Sequence, residues 1–240
     1  MVWNEIGDSQ LIDLSFMVTL NCDLECPFCM YNSSPKVQDQ MPFGALQNFI
    51  STIQPGRINS FGFYGGEPSI HPLEFDWAMS MVEPYAKPLF VITNGAWSMD
   101  TARTKAFLRW MGRRNAQVFV SGTPFHQRHQ NQAVLDAIIN DPFYGGLFNL
   151  KSGETDFLPM GKLSFKTPRC TQRCVWDARP LRLAVKPDGN VIYQTCDGVY
   201  PVVGKISETF SAIVRRVDHM RSYGFADYCP HYRVGDKKAA

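Results

Sequence analysis

Residues 19–29 read TLNCDLECPFC and carry three closely spaced cysteines, Cys22, Cys26 and Cys29. The spacing is C-x3-C-x2-C, and with cysteine at seven of 240 positions its chance occurrence is only about 0.006. The loop follows an apolar run, residues 12–20, that predicts a β-strand. Closely spaced cysteines directly after a strand indicate a metal or redox site.

The number of cysteines in this loop favours one kind of metal site over another. Structural zinc normally takes four ligands, whereas a 4Fe-4S cluster held by three thiolates leaves one iron without a protein ligand. Such an iron can chelate the amino and carboxylate groups of S-adenosylmethionine (SAM). We therefore predict that Cys22, Cys26 and Cys29 hold a 4Fe-4S cluster at which SAM binds.

The composition of the chain limits the classes of protein to which it can belong. The hydrophobic share of 45% is enough for a packed core. The formal net charge of +2 is too small to indicate nucleic acid or an anionic membrane as a partner. The sequence has neither a secretory signal nor an apolar run of about 20 residues that could span a bilayer. We predict a cytoplasmic protein without membrane contact.

Beyond the loop, short β-rich runs alternate with helical patterns as far as residue 150, which is typical of βα units in a parallel sheet. The further strands are predicted at residues 60–64, 89–93, 117–121 and 147–151, and the helices at 43–53, 72–85, 101–111 and 132–139. Proline and glycine then interrupt the pattern. We predict a core domain over residues 1–160 and a carboxy-terminal module over 161–240, with a hairpin at 181–194 and a helix at 207–223.

Three motifs follow successive predicted strands, and together they resemble the signature of the radical SAM superfamily. They are the cysteine loop with Phe28 before its last cysteine, the segment Tyr64-Gly65-Gly66-Glu67-Pro68, and Thr93-Asn94-Gly95. The resemblance implies an α/β fold, a partial (β/α) barrel with SAM at the carboxyl ends of its strands. It further implies that SAM contacts come from the residues Phe28, Gly65, Gly66, Glu67, Thr93, Asn94 and Ser121.

Four late cysteines are Cys170, Cys174, Cys196 and Cys229. Four thiolates can ligate a second 4Fe-4S cluster, and a structural zinc site needs the same number. Cysteines around a Lys-Pro-Asp-Gly-Asn hairpin resemble the auxiliary-cluster modules called SPASM and twitch, of which the smaller twitch type has four cysteines. Their spacing here departs from those modules, so an iron-sulfur cluster and zinc both stay open.

The resemblance also implies an activity. A flavodoxin or ferredoxin would reduce the first cluster, SAM would split into a 5'-deoxyadenosyl radical, and the radical would abstract hydrogen from a substrate. The twitch resemblance favours oxidation or cross-linking of a peptide or small metabolite. His126 and Tyr64 are candidate catalytic residues.

Three functions compete at this point. A small-molecule dehydrogenase and a ribosomal-peptide maturase are alternatives within the class, and the first strand begins so early that we expect no separate peptide-recognition domain before it. Outside the class stands a non-catalytic iron-sulfur or zinc protein.

Overall fold

The computed structural model of the chain describes residues 11–152, 181–194 and 201–222. Its centre is an eight-stranded sheet in the order β5-β4-β3-β2-β1-β6-β7-β8. The strands are β1 Ile12–Met17, β2 Ile58–Tyr64, β3 Leu89–Thr93, β4 Gln117–Gly122, β5 Phe148–Ser152, β6 Leu181–Val185, β7 Asn190–Tyr193 and β8 Val202–Lys205. Strands β1 to β6 run parallel, and β7 and β8 are antiparallel.

Helices connect the parallel strands, as βαβ units require. They are α1 Phe43–Ser51, α2 Pro72–Val82, α3 Thr101–Arg114, α4 Pro124–Gln127 and α5 Gln132–Ile139, and a further helix, α6 Phe210–Ser222, follows β8. Hydrogen bonds from side chains fix several helix starts. Asp100 accepts from the Arg103 N–H at 2.8 Å, and Asn131 accepts from the Val134 N–H at 3.3 Å. In the described part of the chain no helix has the length and apolarity to cross a membrane.

Alternating side chains give the sheet two different faces. Leu14 and Phe16 of β1, and Phe61 and Phe63 of β2, are fully buried in the main core with the helices. Their neighbours point the other way. Ser15, for example, lines a lumen enclosed by the curved sheet. The helix-facing side is therefore an apolar core, and the inner side of the partial barrel carries polar groups.

The predicted fold class is confirmed: the sheet is of mixed α/β type and is not closed. The first strand is shorter than predicted, since it ends at Met17. Beyond it, the carboxylate of Asp39 accepts hydrogen bonds from the Thr19 hydroxyl at 2.6 Å and the Leu20 N–H at 2.9 Å. These bonds turn the chain out of the sheet and into the cysteine loop. Strand β8 and the short helix α4 were not predicted.

The predicted carboxy-terminal hairpin is present as β6 and β7, and it extends the same sheet. Strand β6 pairs in parallel with β1, from Ile12 opposite Leu181 to Phe16 opposite Val185. The predicted division near residue 160 lies outside the described residues, and so do Cys170, Cys174, Cys196 and Cys229. The division into two domains stays a prediction.

Candidate functional site

The cysteine loop leaves the carboxyl end of β1 and folds back on itself. Cys22 and Cys26 are buried, Cys29 is partly exposed, and all three are free thiols. The Cys22 N–H donates to the Ser34 carbonyl at 3.2 Å, and the Ser33 N–H donates to the Cys29 sulfur at 3.2 Å. Backbone hydrogen bonds thus fix the main chain at Cys22 and the sulfur of Cys29.

The three thiols supply the donor chemistry that an iron-sulfur cluster requires. Burial raises the pKa of Cys22 to about 12, so its thiolate needs a cation nearby to be stable. Among the described residues no three Cys, His, Asp or Glu side chains converge as ligands of one metal ion. Thiolates that bind separate irons of a cube need no such convergence.

The two glycines after β2 pack directly against the start of the cysteine loop. The Gly66 N–H donates to the Thr19 carbonyl at 2.7 Å. A Cβ at Gly66 would lie 1.7 Å from the carbonyl oxygen of Asn21, and a Cβ at Gly65, where φ is +132°, would lie 2.7 Å from that of Thr19. Only glycine fits at either position, because the obstacles are backbone atoms. The Gly65 carbonyl accepts from the Ser33 hydroxyl at 3.0 Å.

Glu67 joins the ends of two strands and is fully buried. Its carboxylate accepts three hydrogen bonds, from the Ser69 N–H at 3.0 Å, the Thr93 hydroxyl at 2.8 Å and the Asn94 N–H at 2.8 Å. Burial raises the pKa of Glu67, and these donors act in the opposite direction. Both oxygens are used within the protein, so this side chain holds the carboxyl ends of β2 and β3 together.

Asn94 connects the end of β3 to the cysteine loop. Its side-chain amide donates to Asp23 at 2.7 Å and lies 3.6 Å from the Cys22 sulfur. The other oxygen of Asp23 pairs with Arg103 at 3.1 Å, and Arg103 reaches Ser69 at the same distance. No sequence pattern predicted roles for Asp23, Ser33 and Arg103, because these roles depend on contacts between segments that are distant in sequence.

His126 lies against the cysteine loop on α4, at the carboxyl end of β4. Its Nε2 is 3.5 Å from the Cys26 sulfur, and its Nδ1 is 2.8 Å from the Thr123 hydroxyl. Burial lowers the pKa of His126 to about 4, so the ring is neutral at physiological pH. The Phe28 ring packs edge-on against His126, with ring centroids 5.7 Å apart.

A cavity of about 790 Å³ opens beside these residues and runs into the lumen of the barrel. Its lining includes most of the predicted site residues: Cys22, Cys26, Cys29, Tyr64, Gly65, Gly66, Thr93, Asn94, Ser121 and His126. The volume falls in the range of ligand pockets, about 300–1,000 Å³. Phe28 and Glu67 lie behind the lining and support it.

Tyr64 extends from β2 into this cavity. Its hydroxyl donates to the Gln194 side chain at 2.9 Å, and Gln194 donates to the Tyr31 hydroxyl at 2.9 Å. Gln194 follows β7, so these bonds tie the carboxy-terminal strands to the end of β2. Burial raises the pKa of Tyr64, which therefore stays protonated.

Comparison with known proteins gives one similar curated protein and several similar structures. The putative peptide biosynthesis protein YydG of Bacillus subtilis (strain 168) is 22% identical over 103 residues, 42% of this chain. The match spans only 32% of the length of YydG. No family model matches the chain.

The similar structures share the fold. BtrN in complex with AdoMet and 2-DOIA matches with a TM-score of 0.62 at 15% identity, over 90% of this chain and 87% of BtrN. The enzyme anSMEcpe with bound AdoMet and Cp18Cys peptide matches with a TM-score of 0.51 at 14% identity, over 87% of this chain and 81% of that one. Both structures contain AdoMet, and both share the partial-barrel fold with this chain. In fold, and in the motifs that meet at the carboxyl ends of β1, β2 and β3, the chain resembles the radical SAM superfamily.

Proposed function

We propose that the chain is a radical SAM enzyme whose Cys22, Cys26 and Cys29 hold a 4Fe-4S cluster and whose cavity binds SAM. The observation that carries the proposal is that three free thiols of one loop line a cavity shared with the ends of β2, β3 and β4. When bound, the cluster would supply the electron that splits SAM into methionine and a 5'-deoxyadenosyl radical.

The chain's own residues would bind and orient SAM. The Gly65 carbonyl has a second lone pair beside the bond from Ser33, and it can accept from the methionine ammonium. Thr93 and Asn94 line the same cavity, as does Ser121, and they offer polar atoms to the ribose and carboxylate. These groups would be kept in position relative to the cysteine loop by the packing of Gly66, the hydrogen bonds of Glu67 and the contacts of Asp23.

His126 fits a role at the cluster better than one at the substrate. The Thr123 hydroxyl accepts a hydrogen bond from the backbone N–H of His126 at 3.4 Å. The proton of this hydroxyl can then be donated to Nδ1 of the His126 ring. With the Thr123 hydroxyl donating to Nδ1, the ring proton would reside on Nε2, which lies 3.5 Å from the Cys26 sulfur. We propose that His126 donates a hydrogen bond to the Cys26 thiolate and so influences the reduction potential of the cluster.

Two substrate classes have specific support. The name of YydG refers to peptide biosynthesis, and the anSMEcpe structure contains a peptide. The structure of BtrN, which has the higher TM-score, contains 2-DOIA. Oxidation or cross-linking of a peptide or a small metabolite is the proposed outcome. A flavodoxin or ferredoxin as reductant and a second cluster at Cys170, Cys174, Cys196 and Cys229 belong to the same proposal.

Anaerobic reconstitution followed by reduction in the presence of SAM tests this function. We expect 5'-deoxyadenosine from the wild-type protein and none from a variant with Cys22, Cys26 and Cys29 replaced by Ala. Absence of 5'-deoxyadenosine from iron-loaded wild-type protein would favour a non-catalytic iron-sulfur protein. Iron analysis separates one cluster, about four irons per chain, from two, about eight. Replacing the four late cysteines should lower the content from about eight to about four if they bind the second cluster.

A further inference from the structure

The lumen carries one strongly cationic side chain, Arg182 on β6. Its neighbours Leu181 and Leu183 are buried against the helices, whereas Arg182 is exposed on the opposite face and lines the cavity. Among the described residues that line this cavity it is the single lysine or arginine. Gln194 lies beside it, and the Gln194 N–H donates to the Arg182 carbonyl at 2.9 Å.

The nearest acidic strand neighbour, Asp13, forms no ion pair with Arg182 within 4.0 Å among the described residues. Asp13 on β1 is in register with Arg182, but one of its oxygens accepts from Asn59 at 2.7 Å and from Ser60 at 2.5 Å. The ion pairs of the described residues include none between Arg182 and a carboxylate within 4.0 Å. Arg182 therefore presents its guanidinium donors to the cavity.

The part of the cavity wall formed by β3 and β4, which β1 and β2 separate from β6, carries several apolar and aromatic side chains. Phe90 and Ile92 of β3 and Phe119 of β4 line the cavity, and the rings of Phe90 and Phe119 meet edge to face with centroids 6.1 Å apart. Gly62 on β2 makes room for this wall, because a Cβ there would lie 2.3 Å from the Phe90 ring. One side of the lumen thus offers a cation, and the other offers apolar area.

From this arrangement we infer the substrate class of the proposed enzyme: a molecule with a carboxylate on an apolar, preferably aromatic, body. Arg182 binds the carboxylate through paired N–H donors, and the body lies against Phe90 and Phe119. A phosphate dianion suits the site less well, because the single guanidinium balances only one of its two negative charges. The inference rests on the proposed function, since the same cavity has to hold SAM beside this molecule.

Binding of phenylacetate to the reconstituted, SAM-loaded protein tests the inference by calorimetry. We expect phenylacetate to bind at least about tenfold more tightly than its neutral analogue phenylacetamide, because the amide lacks the charge-assisted pair. The variant Arg182→Met should lose about tenfold or more of the phenylacetate affinity, and Arg182→Lys should lie between the two. N-acetyl-Ala-Ala-Phe and its carboxamide repeat the comparison for a peptide carboxylate.

The control variant is Arg113→Met, an exposed arginine on α3 that is outside the cavity and should leave phenylacetate binding unchanged. Equal affinity for acid and amide, in the small molecules and the peptides alike, would overturn the inference even if Arg182→Met failed to fold. Displacement of phenylacetate by inorganic phosphate at equal concentration would overturn the choice of a carboxylate.

Formation of 5'-deoxyadenosine without added substrate reports on the proposed function separately. It should persist in the control variant Arg113→Met, whose arginine lies outside the cavity. Arg182-dependent phenylacetate binding in a protein that yields no 5'-deoxyadenosine would retain the carboxylate site while rejecting the radical SAM activity.

Discussion

Replacing Gly66 by alanine tests how much the stability of the protein depends on the close packing of this glycine against the cysteine loop. The added Cβ would lie 1.7 Å from the Asn21 carbonyl oxygen, and real Cβ contacts essentially never fall below 3.0 Å, so the two segments must part by at least 1.3 Å. Both partners are backbone, and neither can rotate away. The movement strains two hydrogen bonds, from the Gly66 N–H to Thr19 and from the Glu67 N–H to Asn21.

The expected cost combines steric strain with weakened hydrogen bonds. Forcing extra volume into a packed site costs about 1–3 kcal/mol, and each lost hydrogen bond costs about 0.5–1.5 kcal/mol. We expect Gly66→Ala to lower the free energy of unfolding by about 2–6 kcal/mol. Since Cys22 directly follows Asn21, the variant should also retain less iron after reconstitution.

Urea unfolding and iron analysis measure both effects, and the chain offers a matched control. A Cβ at Gly44 in α1 meets no atom within 4 Å, so Gly44→Ala should be neutral or stabilise the protein by about 0.5–1 kcal/mol. If Gly66→Ala unfolds at the same urea concentration as Gly44→Ala and binds as much iron, the packing of the glycines against the cysteine loop has been misjudged.

Three more predictions concern single side chains. His126→Phe should lower the reduction potential of the cluster by about 40 mV if the lost hydrogen bond favours the reduced state by about 1 kcal/mol. An EPR-monitored redox titration measures this potential, and the control Thr123→Ser should retain the wild-type value. An unchanged potential in His126→Phe would contradict the proposed bond. Glu67→Gln keeps one acceptor oxygen but turns an amide NH2 either toward the Asn94 N–H or toward the donors of Ser69 and Thr93. It should cost about 1–3 kcal/mol in urea unfolding, whereas Glu74→Gln on α2 should have little effect; equal stability of the two would refute this assignment. Tyr64→Phe removes the donor to Gln194 and should cost about 1–2 kcal/mol without changing the iron content, so a large loss of iron would indicate that Tyr64 acts on the cysteine loop instead.

Much of the fold follows from patterns that are local in sequence. The alternation of apolar strands and amphipathic helices predicted β1 to β5 and their connecting helices to within a few residues, with the short α4 missed. The place of β6 did not follow, because its run LRLAV looks like one half of a hairpin and carries no signal for the partner on its other side. Its parallel pairing with β1 depends on the three-dimensional arrangement of the sheet.

In the candidate site, too, some residues could be predicted from local sequence patterns and others could not. The cysteines and the strand-end motifs could be found because each is contiguous in sequence. Asp23 and Arg103 are 80 residues apart, and only the folded chain brings them together. Arg182 was overlooked for a different reason: a charged residue within an apolar strand usually faces solvent, and the sequence alone did not reveal that the solvent-facing side of β6 is the wall of a lumen.

The position of β1 in the sheet explains how one cavity can serve two ligands. Its neighbours are β2 on one side and β6 on the other. The glycines and Asn94 lie beside the cysteine loop at the carboxyl end of β1, on the β2–β3 side. Arg182 and Gln194 lie on the β6–β7 side, level with Asp13 near the amino end of β1. On the proposed function, SAM occupies the first side and the substrate carboxylate the second. A hydrogen donor on the substrate then has to lie near the middle of the lumen, beneath the cysteine loop, where Tyr31 and Tyr64 stand with ring centroids 6.0 Å apart.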